Sequence, residues 1–383
     1  VIPNIAMTVT IIVHRPFTYP FARLREAMQG IDAPEGVTPI HLQIGEPKHP
    51  TPKVITDALT ASLHELEKYP LTAGLPELRQ ACAEWVARRY DGLSLNPDNE
   101  ILPVLGSREA LFSFIQTVLN PASDGPKPVV ISPNPFYQIY EGATILGGGE
   151  IHFANCPAPS FNPDWSSLPE DVWQRTKVLI VCSPNNPTGP ALTYEEIAGF
   201  VADVPDDVMI IVDEAYIDFA TKPGVCTAVP LIEDHPNVIV MRTFSKAHAL
   251  AGVRVGYAIG DPEVIGAIQA LLVPFGVSSL ALAAALASLK DAEGVQRAVA
   301  EIIAERERII PTLRGLGYDI PDSQSNFYLI RGDVYGLVEA CARVGLIVRP
   351  FRVGVRVSVG SREQNDRFLS VAAEFARTAG IGA

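Results

Sequence analysis

The sequence predicts an α/β fold, with a large domain built on a mostly parallel sheet between helices and a small α+β domain. Three observations carry this. The 383 residues are 48% hydrophobic and 19% charged, a globular composition in a chain long enough to bury a core without staples. Short apolar runs alternate with longer amphipathic stretches, the pattern of βα units. Several apolar runs also end on a polar residue, as strands do when a ligand sits beyond their carboxyl ends.

Taken in order, residues 1–14 read as a loose N-terminal arm. Their apolar run Val9–Val13 is far shorter than the ~20 residues that cross a bilayer, and it lacks the basic stretch of a signal peptide. Residues 15–40 are assigned to the small domain together with 286–383, and Phe17–Gln29 is expected to pack there. The large domain spans 41–285. Leu75–Tyr90 and Glu109–Val118 carry helical apolar spacing, with a strand at Ile101–Leu105 before the second. Further strands are expected at Pro128–Ser132, Lys177–Ser183, Val208–Asp213, Val238–Thr243 and Val255–Gly260. They are apolar throughout, as strands covered on both faces should be. Ser279–Leu316, rich in Ala, Glu and Arg, reads as one long helical element leading into the small domain. That domain then shows strand-like Asn326–Ile330, Ile347–Pro350 and Val355–Val359, and a closing helix, Glu363–Thr378.

Composition excludes several functions. A net charge of −13 repels phosphate backbones, and no basic patch offsets it, so no nucleic-acid partner is expected. The cysteines (Cys82, Cys156, Cys182, Cys226 and Cys341) form no C-x-x-C pair, and the histidines show no H-x-x-x-H spacing, so no metal site is expected. An odd, scattered set of thiols reads as reduced and cytoplasmic. There is no G-x-G-x-x-G, and Gly147-Gly148-Gly149 lacks a following G-K-[ST], which argues against nicotinamide or P-loop chemistry.

The chemistry concentrates in three segments: SPNNPTG at Ser183–Gly189, IVDEAY at Ile211–Tyr216 and TFSKAHALAGVRVGY at Thr243–Tyr257. Separately, each is ordinary: a turn, a strand-ending acid, a surface lysine. Together they place Ser183, Asp213 and Thr243 at three strand ends, which points to one shared site. Gly106-Ser107-Arg108 opens a helix after a strand, a ready anion site.

In this order and spacing the segments resemble the fold type I pyridoxal-phosphate aminotransferases of class I/II, over nearly everything from about Phe17 onward. The resemblance implies pyridoxal 5′-phosphate as cofactor and assigns roles residue by residue. Lys246 would form the Schiff base with the cofactor aldehyde and then move protons as base and acid. Asp213 would keep the pyridine nitrogen protonated, making the ring an electron sink. Asn186 and Tyr216 would hydrogen-bond the ring's phenolic oxygen, and Tyr137 would stack on the ring. Gly106, Ser107, Arg108, Thr243, Ser245 and Arg254 would hold the phosphate, since a guanidinium grips it through two hydrogen bonds. Arg356 would clamp the substrate α-carboxylate, with Gly45, Asn186 and Asn326 around it. Tyr69 would reach the cofactor phosphate of a second subunit, implying a homodimer with shared active sites. His248 is expected only to pack.

The two halves of the chain resemble different branches. From Phe17 to about Gly189, YPFARLREAMQGI, LQIGEPKHPTP and ISPNPFYQIYEGA are similar to N-succinyldiaminopimelate aminotransferases of lysine synthesis. From about Leu192, VDEAYIDF, RTFSKAHALAGVRVGY and IVRPFRVGVRVSVGSREQND are similar to histidinol-phosphate and aromatic aminotransferases. The resulting expectation is transamination with 2-oxoglutarate and glutamate, leaning to N-succinyl-LL-2,6-diaminopimelate as donor. The alternatives are histidinol phosphate or an aromatic amino acid, and, in another class, a lyase on the same scaffold.

Overall fold

The computed structural model describes residues 35–381 apart from 91, 120–124 and 159. The arm 1–14 and the segment Phe17–Gln29 lie outside the described residues. Twelve strands are described: β1 (Ile40–His41), β2 (Ile101–Val104), β3 (Val129–Asn134), β4 (Glu150–Asn155), β5 (Thr176–Cys182), β6 (Met209–Asp213), β7 (Val238–Thr243), β8 (Gly256–Gly260), β9 (Phe327–Arg331), β10 (Leu346–Ile347), β11 (Arg349–Phe351) and β12 (Gly354–Ser358).

Seven of them form one sheet in the order β2-β8-β7-β6-β5-β3-β4. Only β8 runs against its neighbours; the pairs from β7 to β4 are parallel. The pleat explains why these strands read as unbroken apolar runs. On β6, Ile210 and Val212 enter one buried cluster with Leu78, Trp85, Ile197 and Leu282, from the helices Pro76–Arg89, Tyr194–Ala202 and Ser279–Lys290. Ile211 points the other way, to Leu111, Phe114, Ala143 and Ile265 of the helices Gly106–Leu119, Ile139–Leu146 and Pro262–Leu271. Both faces are covered, and each such aliphatic side chain contributes about 1.5–3 kcal/mol by its burial.

The sheet order also positions the site. β5, β6 and β7 are adjacent and parallel, so Ser183, Asp213 and Thr243 come together at one edge. Thr243 pairs with Gly256 across the antiparallel β7–β8 ladder, and Gly256 pairs with Val104 of β2. The β7–β8 connection, with Lys246 and Arg254, therefore lies beside the start of the helix Gly106–Leu119.

Beyond the sheet, β11-β12-β9 form an antiparallel sheet and β1 pairs in parallel with β10. Two expectations change. Ser279–Leu316 is two helices, Ser279–Lys290 and Ala292–Gly315, because Asp291 caps the second by accepting from the Gly294 N–H at 3.3 Å. The run Ile347–Pro350 is split between two sheets: Ile347 pairs with His41, and Arg349 pairs with Arg356. The Leu42 carbonyl then accepts from Ser358 N–H at 2.8 Å, and the Ile44 carbonyl from Ser358 Oγ at 2.7 Å. These bonds draw the 42–46 segment over the sheet end.

Candidate active site

At that edge lies a cavity of about 320 Å³. Of the residues singled out in the sequence, Gly45, Ser107, Arg108, Tyr137, Asn186, Asp213, Tyr216, Thr243, Ser245, Lys246, Arg254 and Arg356 line it. Gly106 lies directly behind Arg254 and Asn326 behind Gly45. Tyr69 stands apart: it is 83% exposed and stacks on Phe275 at 5.0 Å.

Lys246 follows β7 after a turn in which the Thr243 hydroxyl accepts from the Ser245 N–H at 3.1 Å. Its ammonium donates to the Gly45 carbonyl at 2.7 Å and lies 5.2 Å from the Tyr216 ring centre. Burial and then the Arg356 charge push its pKa down to about 7, with Glu46 and Asp213 opposing. Gly45 therefore meets the lysine through its carbonyl, alongside Asn326, whose Nδ2 donates to the same oxygen at 3.3 Å. A Cβ at Gly45 would stand 3.3 Å from the Phe327 ring and 3.4 Å from the Tyr216 hydroxyl, so glycine suits this crowded approach.

Asp213 ends β6 and is 4% exposed. Its Oδ1 accepts from the Ala215 N–H at 3.1 Å and its Oδ2 from the Tyr140 hydroxyl at 2.7 Å. Burial raises its pKa, and these two donors with Lys246 oppose the rise. A buried acid so held is ready for a cationic partner, which is what a protonated pyridine nitrogen offers.

The anion slot forms where the start of the helix Gly106–Leu119 meets Arg254. Gly106 has φ +71°, and a Cβ there would lie 2.6 Å from Arg254 Nη2, so the guanidinium can reach the helix start only over glycine. Arg254 also donates to the Ala251 carbonyl at 3.1 Å and to Glu109 Oε2 at 3.0 Å.

On the opposite wall, Arg356 is 2% exposed. Nη1 donates to Asn186 Oδ1 at 2.8 Å and Nη2 to the Gln43 carbonyl at 3.0 Å, while Nε is buried with no hydrogen-bond partner among the described residues. Burial first, and Arg349 second, lower its pKa to about 10. An anion at this guanidinium would relieve that cost. The donor set fits pyridoxal phosphate and an amino acid together: an acid for the ring nitrogen, an amine for the aldehyde, a phosphate slot and a carboxylate clamp.

Sequence reasoning missed four side chains here: Tyr140, Glu46, Glu109 and Arg349. Tyr140 had no helical-spacing signal, because Tyr137 precedes the helix Ile139–Leu146; only the folded turn brings the two rings edge to face at 5.7 Å. The other three are charges whose place depends on how a loop (Glu46), a helix start (Glu109) and a strand (Arg349) pack. His248 packs as expected, against Trp85 and Phe244, with Nδ1 2.8 Å from Ser288 Oγ. Among the described residues no group of three His, Cys, Asp or Glu could hold a metal, and no helix is long and apolar enough to cross a membrane.

Comparison with known proteins agrees with this geometry. Residues 37–371 match the family described as aminotransferase class I and II. An aromatic amino acid aminotransferase of Thermobifida fusca is 37% identical over 85% of this chain and 87% of its own length. One from Streptomyces coelicolor is 33% identical over 92% and 97%. An aminotransferase crystal structure from Neisseria meningitidis superposes with a TM-score of 0.83 at 44% identity, covering 95% of this chain and 98% of its own. A histidinol-phosphate aminotransferase of Sinorhizobium meliloti in complex with pyridoxal-5′-phosphate, at 22% identity and TM-score 0.79 over 97% and 98%, shares the fold.

Proposed function

The chain belongs to the class I and II aminotransferases and is a pyridoxal-phosphate-dependent aminotransferase of fold type I, and on that premise we propose that its amino donor is an amino acid with an aromatic side chain. The observation that carries the donor is the pair of relatives above, both named aromatic amino acid aminotransferases and both spanning most of this chain. The aromatic rings at the cavity, Tyr137 and Tyr216 on its wall and Phe327 behind Gly45, support it. Lysine biosynthesis, the leaning drawn from the N-terminal half, finds no support in those relatives.

When bound, the cofactor supplies the electron sink for proton removal at the substrate α-carbon. The chain's own residues then take these roles. Lys246 would hold the cofactor through its aldehyde and would carry the proton at the substrate α-carbon; its lowered pKa leaves a useful fraction as neutral amine near pH 7. Asp213 holds the ring nitrogen's proton, and Asn186 and Tyr216 donate to the ring oxygen. Gly106, Ser107, Arg108, Thr243, Ser245 and Arg254 take the phosphate, and Tyr137 covers the ring. Arg356 clamps the α-carboxylate through two donors already aimed by Asn186 and Gln43. In the same reading, residues 41–285 form the large domain and the C-terminal part from 286 belongs to the small one, and the pairing of β1 with β10 supports a boundary near residue 41. A second copy covers the exposed apolar Leu66, Tyr69, Leu71, Val273 and Phe275, bringing Tyr69 to its partner's cofactor.

Single-turnover reactions followed by the cofactor's absorbance test the donor. Phenylalanine or tyrosine should outcompete N-succinyl-diaminopimelate and histidinol phosphate by at least about tenfold in catalytic efficiency. A preference for the succinylated donor would overturn the assignment.

A further inference from the structure

Arg306, on the helix Ala292–Gly315, is buried without a buried acid to answer its charge. Among the described residues the one acid within 4 Å is Glu307, at 3.7 Å and 57% exposed. Burial lowers the pKa of this arginine, with Glu307 and Asp322 opposing, and a cation placed so is costly unless it is fully hydrogen-bonded. Its partners are mostly backbone. Nη1 donates to the Phe219 carbonyl at 2.7 Å and to the Ser325 carbonyl at 3.2 Å, and Nη2 donates to Thr221 Oγ1 at 3.0 Å.

Those acceptors lie on two segments that both reach the active-site cavity. Tyr216 opens the short turn Ile217–Phe219, and its carbonyl accepts from the Phe219 N–H at 3.0 Å. Ser325 precedes Asn326, whose Nδ2 donates to the Gly45 carbonyl that Lys246 also meets. Gln324 bridges the same segments, its Oε1 accepting from the Thr221 N–H at 2.7 Å and the Lys222 N–H at 2.8 Å. Nearer the cavity the segments meet again, where the Tyr216 and Phe327 rings stand edge to face at 5.0 Å. A planar fork of donors can tie carbonyls from two segments at once, which a single ammonium does less well. Arg306 itself does not line the cavity.

We propose that Arg306 is a positioning residue for Tyr216 and Asn326, fixing from behind the spacing of the two segments that carry them. The Tyr216 hydroxyl is thereby held where it can donate to the cofactor's ring oxygen, and the Asn326 amide is held on the Gly45 carbonyl. The assignment rests on the aminotransferase reading of the cavity and adds to it a residue that touches neither cofactor nor substrate.

The test follows the holoenzyme's absorbance against pH, together with its affinity for pyridoxal phosphate. The proteins compared are the parent, Arg306→Met, Arg306→Lys, Tyr216→Phe and the double variant of Arg306→Met with Tyr216→Phe. A hydrogen bond from Tyr216 draws charge from the ring oxygen, so its loss should raise the pH midpoint of the absorbance change. Arg306→Met should move the midpoint in the same direction as Tyr216→Phe and weaken the cofactor about tenfold. The double variant should keep the midpoint of Tyr216→Phe, because both changes act through one contact. Arg306→Lys should fall between parent and Arg306→Met, since an ammonium keeps the charge and loses the fork. A parent-like midpoint in Arg306→Met, or a double-variant shift equal to the sum of the single ones, would overturn the assignment. If Arg306→Met does not fold, Arg306→Lys decides in the same way, and a parent-like midpoint there overturns it. Failure of the cavity reading is distinct: Tyr216→Phe would then leave the midpoint unmoved. Arg306 would in that case be judged by cofactor affinity in combination with Asn326→Ala, where non-additive losses support its role and additive ones sink it.

Discussion

Tyr140 donates its hydroxyl to Asp213 Oδ2 at 2.7 Å, and Tyr140 has no exposed surface. The acid proposed to face the cofactor nitrogen is thus held from behind by a phenol on the helix Ile139–Leu146, while Ala215 N–H holds its other oxygen. The pair links the β6 end to the face of the sheet opposite Trp85.

Tyr140→Phe removes a donor and leaves a buried carboxylate oxygen without one. A hydrogen bond to a charged group contributes about 1.5–3 kcal/mol. Denaturant unfolding of the cofactor-free protein should show a loss in that range, and the cofactor should dissociate faster. Unchanged stability and unchanged cofactor affinity would remove Tyr140 from the support of Asp213.

Lys246 sets a pH dependence. Its neutral amine is the reactive form toward the cofactor aldehyde, and burial lowers its pKa to about 7. Cofactor uptake by the stripped protein should therefore quicken as pH rises through about 7 and level off above it. In the unfolded chain the lysine titrates near its ordinary value, so the cost of burying it grows as pH falls from about 10 to 7 and is constant below. Lys246→Met should accordingly gain stability over the cofactor-free parent, most at neutral and acid pH and least at high pH. An uptake midpoint at the ordinary lysine value would contradict this.

Gly106→Ala tests the phosphate slot. The new methyl would stand 2.6 Å from Arg254 Nη2, at φ +71°. The backbone cost alone is about 1–2 kcal/mol, and Arg254 must also move. Titration with pyridoxal phosphate should show at least about a tenfold weaker affinity, by 1.4 kcal/mol per decade. Parent-like affinity would mean that Arg254 does not share the slot with the helix start.

Glu214→Gln probes the buried pair beneath the site. Glu214 Oε2 accepts from Arg242 Nε at 3.0 Å, Arg242 Nη2 at 2.8 Å and Thr227 Oγ1 at 2.9 Å, and Oε1 accepts from Ala228 N–H at 2.6 Å. Both side chains are almost wholly buried. Neutralising one partner strands the other's charge, which costs about 3–5 kcal/mol. A loss under 1 kcal/mol in chemical unfolding would show that the pair is not essential to the fold.

The half-buried edge strand β4 carries no unbroken apolar run and was not legible, but the sequence by itself determined the other six strands of the main sheet and singled out Lys246, Asp213 and Gly106. These rest on local chemistry: apolar runs bounded by polar residues, a lysine just beyond a strand end, a glycine where a helix opens. Strands covered on both faces leave a continuous apolar signal, and for that reason β5, β6 and β7 were legible. Only the tertiary structure decided that Tyr140 supports Asp213, that Gly45 turns its carbonyl to Lys246 and that Arg349 stands opposite Arg356. Each depends on partners from distant parts of the chain, fixed by sheet order and strand register. The break at Asp291 was hidden for a different reason: a single capping carboxylate competes with the helical ladder over one turn, and the apolar spacing on either side continues as if nothing had changed.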